Sequence, residues 1–82
     1  MKASVEISMY PLDSEYGTSI LKFIYRLKQY ESLKLCSNTM SSQVFGDYDE
    51  VMRVLTREMK ISFEEDKTTV MVMKVVNLDL QP

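Results

Sequence analysis

The chain opens on a strict alternation. Ala3, Val5, Ile7 and Met9 are interleaved with Lys2, Ser4, Glu6, Ser8 and Tyr10, the period of a β-strand with one apolar face. Pro11 carries no amide hydrogen for a ladder and is expected to stop that strand. Residues 11–17 are rich in Pro, Asp, Ser and Gly, which is loop chemistry. From about Thr18 to Tyr30 the period changes. Ile20, Phe23, Ile24 and Leu27 recur at i, i+3, i+4 and i+7, one stripe of a helix. Lys22, Arg26, Lys28 and Gln29 lie off that stripe, and Thr18 or Ser19 can cap its first amides. Leu33–Ser37 and Ser42–Gly46 read as short strands joined by polar residues 38–41. Asp47, three residues before Glu50, resembles a capping box and starts a second helix. Its face is Val51, Val54, Leu55, Met59 and Ser62, to about Phe63. Residues 64–67 read as a charged, solvated turn. Thr68–Leu78 is dominated by β-branched residues and is apolar on both faces, a final strand. Residues 80–82 read as a frayed tail.

The order strand–helix–strand–strand–helix–strand, joined by right-handed crossovers, predicts an α+β, ferredoxin-like βαββαβ sandwich. Its four-stranded antiparallel sheet carries two helices on one face, in a single domain spanning residues 1–82. The other face must then meet water, a partner or a ligand. Alternation says what lies there. With Val5, Ile7 and Met9 toward the helices, Ser4, Glu6, Ser8 and Tyr10 point outward. Lys74 is too costly to bury unpaired, so Met71, Met73 and Val75 point inward and Val70, Val72, Lys74 and Val76 outward. Val44 inward puts Gln43 and Phe45 outward.

That open face mixes an apolar patch (Val70, Val72, Val76, Phe45) with polar groups (Glu6, Ser8, Gln43, Lys74). Burying about 400 Å² of the patch would contribute about 10 kcal/mol gross, against association costs of about 4–15 kcal/mol. Pairing of two sheets into a homodimer is the simplest way to cover it. Polar groups half-enclosed by apolar side chains also suit a small molecule. In this topology the first strand lies between the third and fourth, so Glu6 and Lys74 are cross-strand neighbours. They either neutralise each other at an interface or orient a carboxylate and an ammonium toward a ligand.

Composition narrows the chemistry. The chain has 82 residues, 45% hydrophobic and 27% charged, an ordinary globular mix. It has no His and one Cys, which excludes His-based triads and metal sites, CxxC zinc pairs and an internal disulfide. The net charge of −2 offers no basic field for a phosphate backbone. The outward aromatics are too few for an RNA-binding sheet, so no nucleic-acid partner is expected. Arg26, Arg53 and Arg57 all lie on predicted helices, so the arginine-bearing phosphate loop of a small acylphosphatase is missing. Cys36 reads as an inert thiol on a short strand. No apolar run reaches the roughly 18 residues of a membrane span, and no leader pattern follows Lys2. A cytoplasmic protein without a membrane partner is expected.

Three segments, SVEISMYPL at 4–12, NTMSSQVFGDYDEVM at 38–52 and VMKVVN at 72–77, resemble the YkoF-like thiamine-binding family, in its single-repeat form. The resemblance runs over nearly the whole chain. It implies sheet-to-sheet assembly as a homodimer or homotetramer, and non-catalytic binding of thiamine or its hydroxymethylpyrimidine moiety, without a cofactor. The residues offer matching groups. Glu6, Gln43 and Asn38 can meet an aminopyrimidine edge with paired hydrogen bonds. Ser8, Ser41 and Ser42 can donate to a ring nitrogen or a hydroxymethyl oxygen. Phe45, Tyr10 or Met40 can pack on a flat ring. Glu6 favours a cationic thiazolium, and Lys74 suits a phosphate. The competing expectation is a structural or regulatory homo-oligomer whose outward polar groups close an interface with no ligand.

Overall fold

The strands and helices form in the expected order in the computed structural model, which describes residues 1–65 and 68–82. They are β1 (Lys2–Pro11), α1 (Tyr16–Lys28), β2 (Lys34–Ser37), β3 (Ser42–Asp47), α2 (Tyr48–Glu65) and β4 (Thr69–Val76). The antiparallel sheet has the order β2-β3-β1-β4, the ferredoxin-like α+β arrangement. Val5, Ile7 and Met9 of β1 and Val44 of β3 meet Phe23 and Leu27 of α1 and Val51, Val54 and Leu55 of α2 in one core. Each large apolar side chain buried there contributes about 1.5–3 kcal/mol. Gly46, near the end of β3, packs closely beneath Leu33: a Cβ there would stand 2.8 Å from Leu33 Cδ2, so a larger residue would require that side chain to shift.

Several boundaries differ from expectation, each for a local reason. β1 includes Pro11, which pairs with Thr69 of β4. Leu12 N–H donates to Thr68 O at 3.0 Å, so by alternation the ring nitrogen of Pro11 faces away from β4, toward the side β3 does not reach. α1 starts at Tyr16 with Glu15 as its N-cap and no side-chain cap, rather than at Thr18 or Ser19. Asp13 Oδ1 accepts the Glu15 amide at 3.2 Å and turns the chain into the helix early. The capping box of α2 does not close. The Glu50 carboxylate is held by Ser32 at 2.9 Å and Arg53 at 2.7 Å, while Asp47 lies 3.4 Å from the N-terminal ammonium. Glu64 and Glu65, expected in a turn, form the last turn of α2; Asp66 and Lys67 lie outside the described residues. The tail is tied down rather than frayed at Leu80. Ser4 Oγ donates to Leu78 O at 2.7 Å and accepts the Leu80 amide at 2.8 Å.

The helices are joined by buried charge as well as by apolar packing. Glu58 lies on the inward stripe of α2 and is only 3% exposed. Arg26 Nε donates to its Oε1 at 2.7 Å and Tyr30 Oη to its Oε2 at 2.6 Å. Arg26 Nη2 also reaches Ser62 Oγ at 2.6 Å. The acceptor role of Glu58 holds the Tyr30 hydroxyl above its ordinary value of 10.0. This contribution to stability is therefore complete below pH 10 and is lost as pH rises through the raised value.

Removing one member of such a cluster strands the others. Glu58→Ala should destabilise the fold by about 3 kcal/mol in urea unfolding, whereas Arg26→Met combined with Glu58→Leu should recover most of that loss. An unchanged midpoint in Glu58→Ala would show that the cluster is a surface pair.

Candidate functional site

Glu6 occupies the middle of the open sheet face because β1 is a central strand. It stands opposite Gln43 of β3 on one side and Lys74 of β4 on the other. Lys74 Nζ lies 3.2 Å from Glu6 Oε1. Ser41 Oγ donates to Glu6 Oε2 at 3.0 Å and accepts from Gln43 Nε2 at 2.8 Å. One carboxylate thus gathers an ammonium, a hydroxyl and, through it, an amide. The hydrogen bond from Ser41, then the bond and charge of Lys74, hold the Glu6 carboxyl below its ordinary value of 4.5. With side-chain exposures of 82% and 40%, the Lys74–Glu6 pair contributes little to stability. It fixes where charge sits.

The turn between β2 and β3 supplies the second wall. Asn38 Oδ1 accepts the amides of Met40 at 2.8 Å and Ser41 at 3.1 Å, and Asn38 N–H closes the hairpin on Ser41 O at 3.0 Å. Asn38 is thereby the residue that shapes the turn, its side-chain oxygen spent on backbone. The turn leaves Met40 85% exposed and Ser8 Oγ 3.4 Å from Met40 O. Glu6, Ser8, Tyr10, Met40, Val72 and Lys74 line an open hollow of about 500 Å³ beside it.

Two expected ligand residues, Ser42 and Phe45, do not line this 500 Å³ hollow. Ser42 faces the helix layer with Val44, is buried, and pairs with Ser37 at 2.7 Å between hydroxyl oxygens. Phe45 does point to the open face, yet it is only 6% exposed. It lines a second, more apolar hollow of about 320 Å³ with Ser4, Val76 and Leu80, and Glu6, Gln43 and Lys74 border that hollow as well. The expected apolar patch is therefore split. The chain's own C-terminal segment shelters the Phe45 end, while Val70 and Val72 remain 46% and 52% exposed. Val75, expected to be sheltered beneath the helices, shares the face of Val5 across the ladder but is 47% exposed, because β4 is an edge strand that the helices scarcely overhang.

The hydrogen-bonded tail and the Arg26–Glu58 cluster were not anticipated from the sequence. Glu58 could have been found: it stands seven residues after Val51 and four before Ser62, a buried-stripe position that calls for a partner. Cys36 is a half-buried free thiol. Among the described residues no group of three or more His, Cys, Asp or Glu could hold a metal ion, and no helix is long and apolar enough to cross a membrane.

No protein-family model matches the chain, and no curated protein does. Solved structures share its fold. Protein SP2199 from Streptococcus pneumoniae superposes with a TM-score of 0.88 at 22% identity, over 98% of this chain and 90% of that one. A candidate thiamine biosynthesis/salvage protein from Thermotoga maritima gives 0.82 at 17% identity, over 99% and 85%. Hypothetical protein MJ1052 from Methanocaldococcus jannascii gives 0.81 at 23% identity, over 99% and 84%. These likenesses establish the shared βαββαβ fold.

The depressed Glu6 value is open to direct titration. The side-chain carboxyl carbon of Glu6, followed by NMR, should titrate with a midpoint below 4.5. Ser41→Ala and Lys74→Ala should each raise it. A midpoint at the ordinary value, unmoved by either substitution, would dissolve the cluster described above.

Proposed function

We propose that the protein is a non-catalytic binder of thiamine or of its hydroxymethylpyrimidine moiety, working in the cytoplasm and assembling through its sheets as a homodimer or homotetramer. One observation carries this reading. A single carboxylate, kept ionised by Ser41 and Lys74, stands at the rim of a hollow walled by Tyr10, Met40 and Val72. An ionised carboxylate beside soft, flat-packing side chains suits a cationic heteroaromatic such as a thiazolium. Lys74, largely exposed, can swing from Glu6 to a phosphate. Ser8 and Gln43 stand within the same cluster as further donors. The description of the Thermotoga neighbour as a candidate thiamine protein supports the same chemistry.

A second reading is favoured by the exposed Val70 and Val72. The open face would then serve assembly alone, as a structural or regulatory interface. Calorimetry separates the two. Thiamine, the hydroxymethylpyrimidine and their phosphates should give saturable heat, and Glu6→Gln or Ser41→Ala should weaken binding about 10-fold, the order expected for one hydrogen bond to a charged group. No heat with any of these at millimolar concentration, together with oligomers that dissociate in Glu6→Gln, would favour assembly alone.

A further inference from the structure

The helix layer presents a second surface, on the side away from the sheet, that takes no part in the core or in the Glu6 cluster. α1 buries Phe23 and Leu27. On its other side, one turn apart, Leu21 and Tyr25 are 68% and 67% exposed. Residues three, four and seven apart share a helix face, so Thr18 and Lys22 stand beside them. These four residues, with Arg26 and with Glu65 from the end of α2, line an open groove of about 670 Å³. Pairing of sheets leaves this groove on the outside, so such assembly does not cover it.

The charge of this surface runs against that of the chain. The protein carries −2 overall, yet α1 contains Lys22, Arg26 and Lys28 and no acidic residue. Arg26 is committed inward to Glu58 and Ser62, and its Nη1 has Glu65 Oε2 3.7 Å away. Lys22 and Lys28 are exposed. Among the described residues, neither has a carboxylate within ion-pair distance. A cation in the last turn suits the helix dipole, which accounts for Lys28. Lys22 stands in the middle of α1, where the dipole gives no such reason. Two apolar side chains are thus flanked along one helix face by two ammonium groups whose charge nothing in the described chain neutralises.

We propose that this groove docks an acidic amphipathic helix of another protein, which lays its apolar stripe on Leu21 and Tyr25 and its carboxylates against Lys22 and Lys28. Charge selects this occupant. A second copy docking through its own α1 would set Lys22 and Lys28 against their like. A bilayer of anionic lipid or a nucleic-acid backbone would meet the exposed carboxylates of Glu64 and Glu65 at the end of α2. A concave groove with two apolar anchors also offers no flat face to a bilayer. A helix fits the spacing, because anchors at i and i+4 form a ridge that packs between the side-chain rows of a facing helix. Tyr25 supplies a large, rigid contact surface. With two anchors and two charge pairs, the contact is of the small, transient class. It does not depend on the small-molecule reading of the sheet face.

The test uses the intact chain, isotope-labelled for NMR, and two synthetic peptides of about 15 residues, long enough to hold a helix. One has Leu at the apolar heptad positions and Glu and Ala elsewhere; in the other every Glu is Lys. The Glu peptide should move the amide signals of residues 18–29 saturably, and added salt should weaken it. Leu21→Ala and Tyr25→Ala, both at exposed positions, should each weaken it about 10-fold. Lys22→Glu should weaken the Glu peptide and strengthen the Lys peptide, a reversal that apolar adhesion alone does not produce. Four results would overturn the proposal: no saturable shift with the Glu peptide; equal binding of the two peptides; movement of the same signals with protein concentration alone, which is self-association; or movement with phosphatidylglycerol vesicles and not with the peptide, which is a membrane surface.

Discussion

Everything described here depends on the two ladders of β1. As a central strand it sends alternate peptide groups to opposite neighbours and alternate side chains to opposite faces. The side-chain phase buries Val5, Ile7 and Met9 under the helices and leaves Glu6 and Ser8 on the open face. The peptide phase decides which backbone groups are unpaired where the β1–β3 ladder stops, at Ile7↔Ser42. A shift of one residue would exchange both sets at once, placing Glu6 in the core at a cost the domain could not meet. The register is held because the apolar and polar positions are mutually exclusive.

The helices reinforce this in a way that apolar packing alone does not. Phe23, Leu27, Val54 and Leu55 would tolerate some sliding of α1 along α2. The fork of Arg26 on Glu58, with Tyr30 and Ser62 closing the remaining valences, has one geometry. It sets α1 against α2 and so places Leu21 and Tyr25, on the outward side of α1, beside Glu65 of α2. The Asn38 turn plays the matching part at the open face. It draws Met40 out of the ladder and so leaves that methionine exposed.

Much of this was legible in the residues. The alternation at 2–10 gave the phase of β1, and the cost of burying Lys74 gave that of β4; together they predict the Glu6–Lys74 pairing that the register shows. What was not legible depends on contacts that no local period encodes. The stripe of α2 reaches the Glu58 position, but the partners that make a buried carboxylate tolerable there, Arg26 and Tyr30, come from outside α2 and no local period reports them. The shelter over Phe45 comes from Ser4 capturing Leu78 and Leu80, 74 and 76 residues away. Ser41 and Ser42 are neighbours in sequence, yet Ser41 reaches Glu6 on the open face while Ser42 is buried toward the helices, because successive residues of an extended chain face opposite ways. The early end of the β1–β3 ladder hangs on a side chain, Asn38, competing for a backbone amide, which the spacing of hydrophobic residues does not report.

The most direct measurement of the central claim is amide hydrogen exchange along β1 in the unliganded protein. The two-ladder account predicts slow exchange at Val5 and Ile7, bonded toward β3, and at Tyr10, bonded toward β4, with fast exchange at Met9 between them. Protection of Met9 equal to that of Ile7 would mean that β3 continues past Ser42 and that the Asn38 turn does not stand where the hollow beside Glu6 requires it.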